Sequence, residues 1–158
     1  MQYTSFFRFL FVALFALTLT ACDSGGDGDG DTGLDSAGTL KATVAGQSFD
    51  AVLVVTTWQN GVLSITGNLG ATQAGSNEQL SITLNAASVG SHSFGIGGAI
   101  GVWATGSLTA LDGYTALSGT LNITTLSDNR AVGTFSFTGR NNNGDQIQVS
   151  NGEFDVKL

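Results

Sequence analysis

Residues 117–138 read LSGTLNITTLSDNRAVGTFSFT, and apolar and polar side chains alternate through most of them. Leu117, Leu121 and Ile123 fall on one side of such a chain, and Ser118, Thr120, Asn122 and Thr124 on the other. Phe135 and Phe137 alternate in the same way with Thr134, Ser136 and Thr138. A period of two belongs to the β-strand, whose successive side chains point to opposite faces. One apolar face and one polar face with few charges is the pattern of an antiparallel sheet that is wet on one side.

The same pattern extends in both directions. Leu63 and Ile65 alternate with Ser64 and Thr66, Leu80, Ile82 and Leu84 with Ser81 and Thr83, and Phe154, Val156 and Leu158 with Glu153, Asp155 and Lys157. Asn60-Gly61, Asp112-Gly113, Asn143-Gly144 and Asn151-Gly152 are residue pairs suited to positive φ, so each predicts a turn. Ala45-Gly46 predicts the first hairpin, between strands over 39–44 and 47–57, and the last strand is expected over 152–158. The stretch 90–101, GSHSFGIGGAIG, is too rich in glycine for a regular strand and predicts a bulged strand or a loop that exposes backbone. Many short strands with regular turns predict an all-β fold: a single antiparallel β-sandwich or barrel-like domain of about nine to ten short strands over residues 39–158.

Composition agrees. The 158 residues include 23 Gly, no Pro and one Cys, and only 11% are charged. Thr, Val, Ile and Phe suit a pleated surface, and Gly and Asn suit its turns. The formal charge is −7, and residues 39–158 hold seven acids against Lys41, Arg130, Arg140 and Lys157. No basic patch is available to neutralise phosphates, which argues against nucleic-acid binding and against attraction to anionic lipid through basic side chains.

The N-terminus carries an address. Arg8 and the terminal amine precede an apolar run from Phe9 to Leu19, about half the length needed to span a bilayer and suited to the core of a cleaved signal peptide. Leu19, Thr20, Ala21 and Cys22 resemble the lipobox of bacterial lipoproteins, in which the cysteine thiol takes a diacylglyceryl group and the bond before it is cut. The resemblance implies residues 1–21 as signal peptide, Cys22 as lipid anchor, and a protein held on a membrane surface of the cell envelope, the outer membrane favoured. Cys22 is the only cysteine, so an intrachain disulfide is excluded. Residues 22–38 then form a Gly/Asp-rich tether with almost nothing to bury; sixteen residues of such coil span roughly 20–25 Å. Asp27, Asp29 and Asp31 are spaced like the first ligands of a calcium loop, but the sixth and twelfth positions are Thr32 and Gly38 instead of Gly and Glu. A solvated tether is the expected reading.

From Leu40 to Leu158 the segments LKATVAGQSFDA, GVLSITG, LSITLNAASVGSHSFG, GTLNIT, AVGTFSFTGRN and VSNGEFDVKL resemble, in this order, a family of small uncharacterised lipoproteins of Bacteroidota-like bacteria. The resemblance implies a compact β-sandwich-like domain and carries over no catalytic residue.

The residues themselves point the same way. His92 is the one histidine, no Gly-x-Ser-x-Gly elbow is present, and one His with a lipidated Cys is too little for zinc. No cofactor is expected. Trp58, Trp103 and Tyr114 are the large aromatics able to stack on a sugar ring, though core filling is their commoner use. Two function classes follow: a non-catalytic envelope module that binds a protein or glycan or decorates the surface, and a hydrolase of envelope or extracellular polysaccharide working through a pair of acids. The first is favoured.

Overall fold

The computed structural model describes residues 36–71, 77–107 and 110–158. The residues read above as a lipobox (Leu19, Thr20, Ala21 and Cys22) and as a weak calcium candidate (Asp27, Asp29 and Asp31) lie outside them, as does most of the expected tether. The described chain is all-β, with ten strands: β1 Gly38–Val44, β2 Gln47–Asp50, β3 Leu53–Gln59, β4 Val62–Ala71, β5 Asn77–Leu84, β6 Gly90–Ser93, β7 Ile100–Ser107, β8 Ala110–Ser127, β9 Arg130–Arg140 and β10 Gln146–Lys157. They form one antiparallel sheet in the order β2-β1-β10-β9-β8-β7-β5-β4-β3, with β6 paired to β8. The sheet curls into a half-barrel, so of the two expected architectures the barrel-like one is realised.

Curling gathers the apolar faces. Leu40, Phe49, Val54, Leu63, Ile65, Leu80, Ile82, Leu121, Ile123, Phe137, Phe154 and Val156 are buried in one core. Trp103 of β7 meets Phe49 of β2 edge-on at 5.3 Å, so two strands remote in the sheet order close the core between them, and Phe94 of the loop after β6 packs on Phe137 of β9 at 5.1 Å. The two ends of the curl are stitched by the residues just before β1. Ala37 N–H donates to the Val54 carbonyl at 2.8 Å, and Lys157 N–H donates to the Ala37 carbonyl at 2.6 Å. The Ser36 hydroxyl accepts the Val54 N–H at 3.1 Å, and Thr56 Oγ1 donates to the Lys157 carbonyl at 2.6 Å. The folded domain therefore begins by Ser36, three residues before the expected Thr39.

Three expectations are corrected. The strand expected over 47–57 breaks at Ala51-Val52, because Ala51 N–H bonds back to Leu40 while Val52 N–H bonds to Asn68 of β4, and the two pieces serve opposite ends of the sheet. Asp112-Gly113 is not a turn: Asp112 pairs with Thr105 and Gly113 with Ala104 inside β8. Asn151-Gly152 is not a turn either. It is a bulge within the continuous β10, which carries one extra residue there against both β9 and β1. Asn151 takes the positive φ of 50°, which Asn tolerates, while Gly152 is required for space, since a Cβ there would lie 2.5 Å from the Phe135 ring.

Bulges also explain the outlier of the opening stretch. β8 carries an extra residue against β9 between Ala116 and Ser118, and another between Ile123 and Thr125. The first turns Leu117 outward, leaving it 54% exposed, while Ala116 is buried. Leu117 thus does not share the inner face with Leu121 and Ile123, because a single inserted residue reverses the facing of a strand. The Gly-rich stretch behaves as expected. β6 and β7 lie end to end along β8, with residues 94–99 looping out between them, the loop closed by Ala99 N–H to the Ser93 carbonyl at 2.9 Å and Gly95 N–H to the Ala99 carbonyl at 3.1 Å.

Candidate functional site

The aromatic residues singled out above do not form a platform. Trp103 is 4% exposed, its ring committed to Phe49, and it reaches the surface only as part of the wall of a small hollow of about 190 Å³ shared with Glu78 and Ile147. Trp58 and Tyr114 are half-buried against the core, on β3 and β8. Tyr114 is paired in register with Trp103. His92 is half-buried on β6, and its Nε2 lies 2.8 Å from the Ser88 carbonyl, so that nitrogen carries the proton and braces the turn before the strand.

A polar cluster forms where β9 turns into β10. Asn141 is 6% exposed, the one buried polar residue among the described ones. Its Nδ2 donates to Asp112 Oδ2 and to Asp145 Oδ2, each at 3.1 Å. Its Oδ1 accepts the N–H groups of Asn143 at 3.1 Å and Asp145 at 2.8 Å. Tyr114 joins through Asp112, whose hydrogen bond and charge raise the phenol above its ordinary range. Two carboxylates thus come together, as a polysaccharide hydrolase would need. Both are spent on one amide that also accepts two backbone N–H groups, which describes a clasp holding the 141–145 turn. Among the described residues no group of three or more His, Cys, Asp or Glu is arranged to hold a metal ion.

Among the described residues, larger concavities open in two regions of the surface. One surrounds the 94–99 loop: Ile96 at its tip is fully exposed, and with Ile100 and the bulged Leu117 it lines an apolar groove of about 390 Å³. On the other side of the loop, His92, Ser91 and Asn85 line a second hollow of about 570 Å³.

The other concavity is a trough of about 590 Å³ across β8, β9 and β10. Its side chains are set by register. Asn122 lies opposite Thr134, and Thr134 opposite Glu153, making one row across three strands. Thr120 lies opposite Ser136, and the bulge residues Ser150 and Asn151 extend that second row. Strands lie about 4.8 Å apart and like-facing residues about 6.8 Å along a strand, so the rows form a grid of hydrogen-bonding groups. The β10 bulge bends the strand and hollows the face. Sequence alternation places Thr120, Asn122, Thr134, Ser136 and Glu153 on the wet face; Ser150 and Asn151 reach it through the bulge, whose Asn-Gly pair predicts a turn instead.

Residues 36–156 match the family described as domain of unknown function DUF6252. The chain belongs to this family. The DUF6252 match opens at Ser36, where the seam bonds begin, and closes at Val156, one residue short of the end of β10. The resemblance drawn from the sequence to an uncharacterised family is sustained at that level. No curated protein and no solved structure matches the chain.

Proposed function

We propose that this chain is a lipid-anchored protein of the cell envelope, the outer membrane favoured, whose DUF6252 domain is a non-catalytic binding module. The observation that carries the reading is the trough: some 590 Å³ of concave surface, within the range of ligand sites, lined by the amides, hydroxyls and carboxylate of the wet face beside Phe135 of the core. The anchoring half rests on the lipobox-like Leu19-Thr20-Ala21-Cys22 after an apolar run. A membrane tie of two or more acyl chains is stable, and it suits a module that works at a surface.

The two halves are tested separately. Metabolic labelling with a tritiated fatty acid should mark the wild-type chain and not Cys22→Ser; equal labelling of both defeats the anchor. Protease shaving of intact against lysed cells then places the domain on the outer surface or within the periplasm. For the binding module, Ser136→Arg, which fills the trough from an exposed position, should abolish retention of cell-envelope material. The competing reading, a hydrolase using Asp112 and Asp145, requires polysaccharide turnover that disappears in Asp112→Asn and Asp145→Asn.

A further inference from the structure

We infer that the trough on β8–β10 takes a neutral carbohydrate chain, an inference that rests on reading the domain as a binding module. The charge around the trough decides the ligand class. Glu153 is the one ionisable residue among those lining it. The four cations of the domain all lie outside it: Arg140, four residues from Ser136 along β9, donates to the Gly144 carbonyl at 3.2 Å, and Lys157 lies four residues beyond Glu153 on β10. Lys41, in register with Glu153 on β1, pairs with Asp50 at 3.0 Å on the far side. Arg130, at the far end of β9, holds Asp155 through two bonds of 2.8 and 2.6 Å. A phosphate, sulfate or uronate would meet a carboxylate and no cation among the lining residues, so anionic ligands are disfavoured.

The lining also argues against a peptide. Peptide recognition uses an open strand edge for main-chain bonds or apolar pockets for side chains. The trough lies on the face of three central strands, whose edges are consumed in the sheet. What it presents, beside the Phe135 ring, is a grid of donors and acceptors with a single charge: Asn122, Gln148 and Asn151 offer amides, Thr134 and Ser136 hydroxyls, and Glu153 a charged acceptor. Amides and a carboxylate are suited to vicinal hydroxyls, since each can accept from one and the amide donate to the next. A neutral sugar is the chemistry that uses all of these and needs no cation. The Ser150–Gly152 bulge supplies concavity that would cup a ring.

The test uses the full chain purified in detergent. Neutral hexasaccharides (glucan, xylan, mannan and chitin fragments) are titrated by calorimetry, and retention of solubilised envelope material is measured after either periodate or protease treatment. Binding of at least one hexasaccharide, unchanged between 0.05 and 0.5 M salt and at least tenfold weaker in Asn122→Ala and Ser136→Arg, supports the inference. Both variants alter the outer face, and unchanged melting temperatures confirm that they fold. Silence of all hexasaccharides together with periodate-resistant, protease-sensitive retention that Ser136→Arg abolishes overturns the carbohydrate and leaves the binding module standing. Retention unaffected by Ser136→Arg, or none at all, overturns both. A salt-sensitive preference for an anionic polymer such as heparin also overturns it.

Discussion

Gly152→Ala is the substitution on which the bulge reading stands or falls. An added Cβ would sit 2.5 Å from Cδ2 and Cε2 of Phe135 and 2.6 Å from Cζ, a full ångström inside ordinary contact. Phe135 is 4% exposed and packed in the core, so its ring cannot swing away without disturbing neighbours. Overpacking of this kind costs about 1–3 kcal/mol. With an unfolding entropy of about 2.1 cal/mol/K per residue, a domain of about 120 residues loses about 4 °C of Tm per kcal/mol, so a drop of about 4–12 °C is expected in scanning calorimetry. Shortening the ring should relieve the clash: in Phe135→Leu/Gly152→Ala the penalties should sum to less than those of the single changes, a coupling that a double-mutant cycle reads directly. Gly113→Ala is the internal control. It lies in β8 with nothing within 4 Å of its added Cβ, and the unfolded chain loses freedom, so it should be neutral or stabilise by up to about 1 kcal/mol. A Gly152→Ala protein melting within 1 °C of wild type, or strictly additive penalties with Phe135→Leu, would refute the packing described for this bulge.

Further outcomes follow from other parts of the sheet. Leu117→Thr should change stability by less than about 0.5 kcal/mol, while Leu121→Ala should cost about 2–5 kcal/mol in denaturant unfolding; equal costs would put Leu117 back in the core. Asn141→Ala strips the clasp of a buried amide and should cost about 2 kcal/mol, with amide exchange in the 141–145 turn rising well above that of the β8–β9 strands. Asp112→Asn should lower the Tyr114 pKa towards its ordinary value in ultraviolet titration, with Tyr114→Phe as the blank; the stability that the raised phenol contributes is present below pH 10 and lost as pH rises through its folded value. Asp155 is held below its usual carboxylate range by Arg130, so its contribution is present above pH 3.8 and lost as pH falls through the lower folded value. Asp155→Asn should flatten the acid limb of the Tm–pH curve, and an unchanged limb would show that the pair contributes nothing.

The sequence by itself determined the strand class, the facing of most side chains and the neutral character of the wet surface. These are local properties: alternation at Leu80–Leu84 or Phe135–Phe137 needs no partner to be read, and the scarcity of lysine and arginine is independent of folding. It also carried the lipobox-like Leu19-Thr20-Ala21-Cys22 on which the proposed anchor rests, a local motif read without reference to the fold. Tertiary structure decided what local signals leave degenerate. Asn-Gly and Asp-Gly favour positive φ or tolerate strand alike, and only the pairing of Asp112 with Thr105 and the presence of the Phe135 ring beneath Gly152 settle that one pair is plain strand and the other a bulge. Leu117 has the pattern of a core residue until one inserted residue in β8 turns it out. Trp103 is placed by Phe49, 54 positions away along the chain and on the far wall of the core. The trough belongs to the same category. Asn122, Thr134 and Glu153 come from three strands, and they form a row only because register aligns them and the bulge in β10 bends the surface they share.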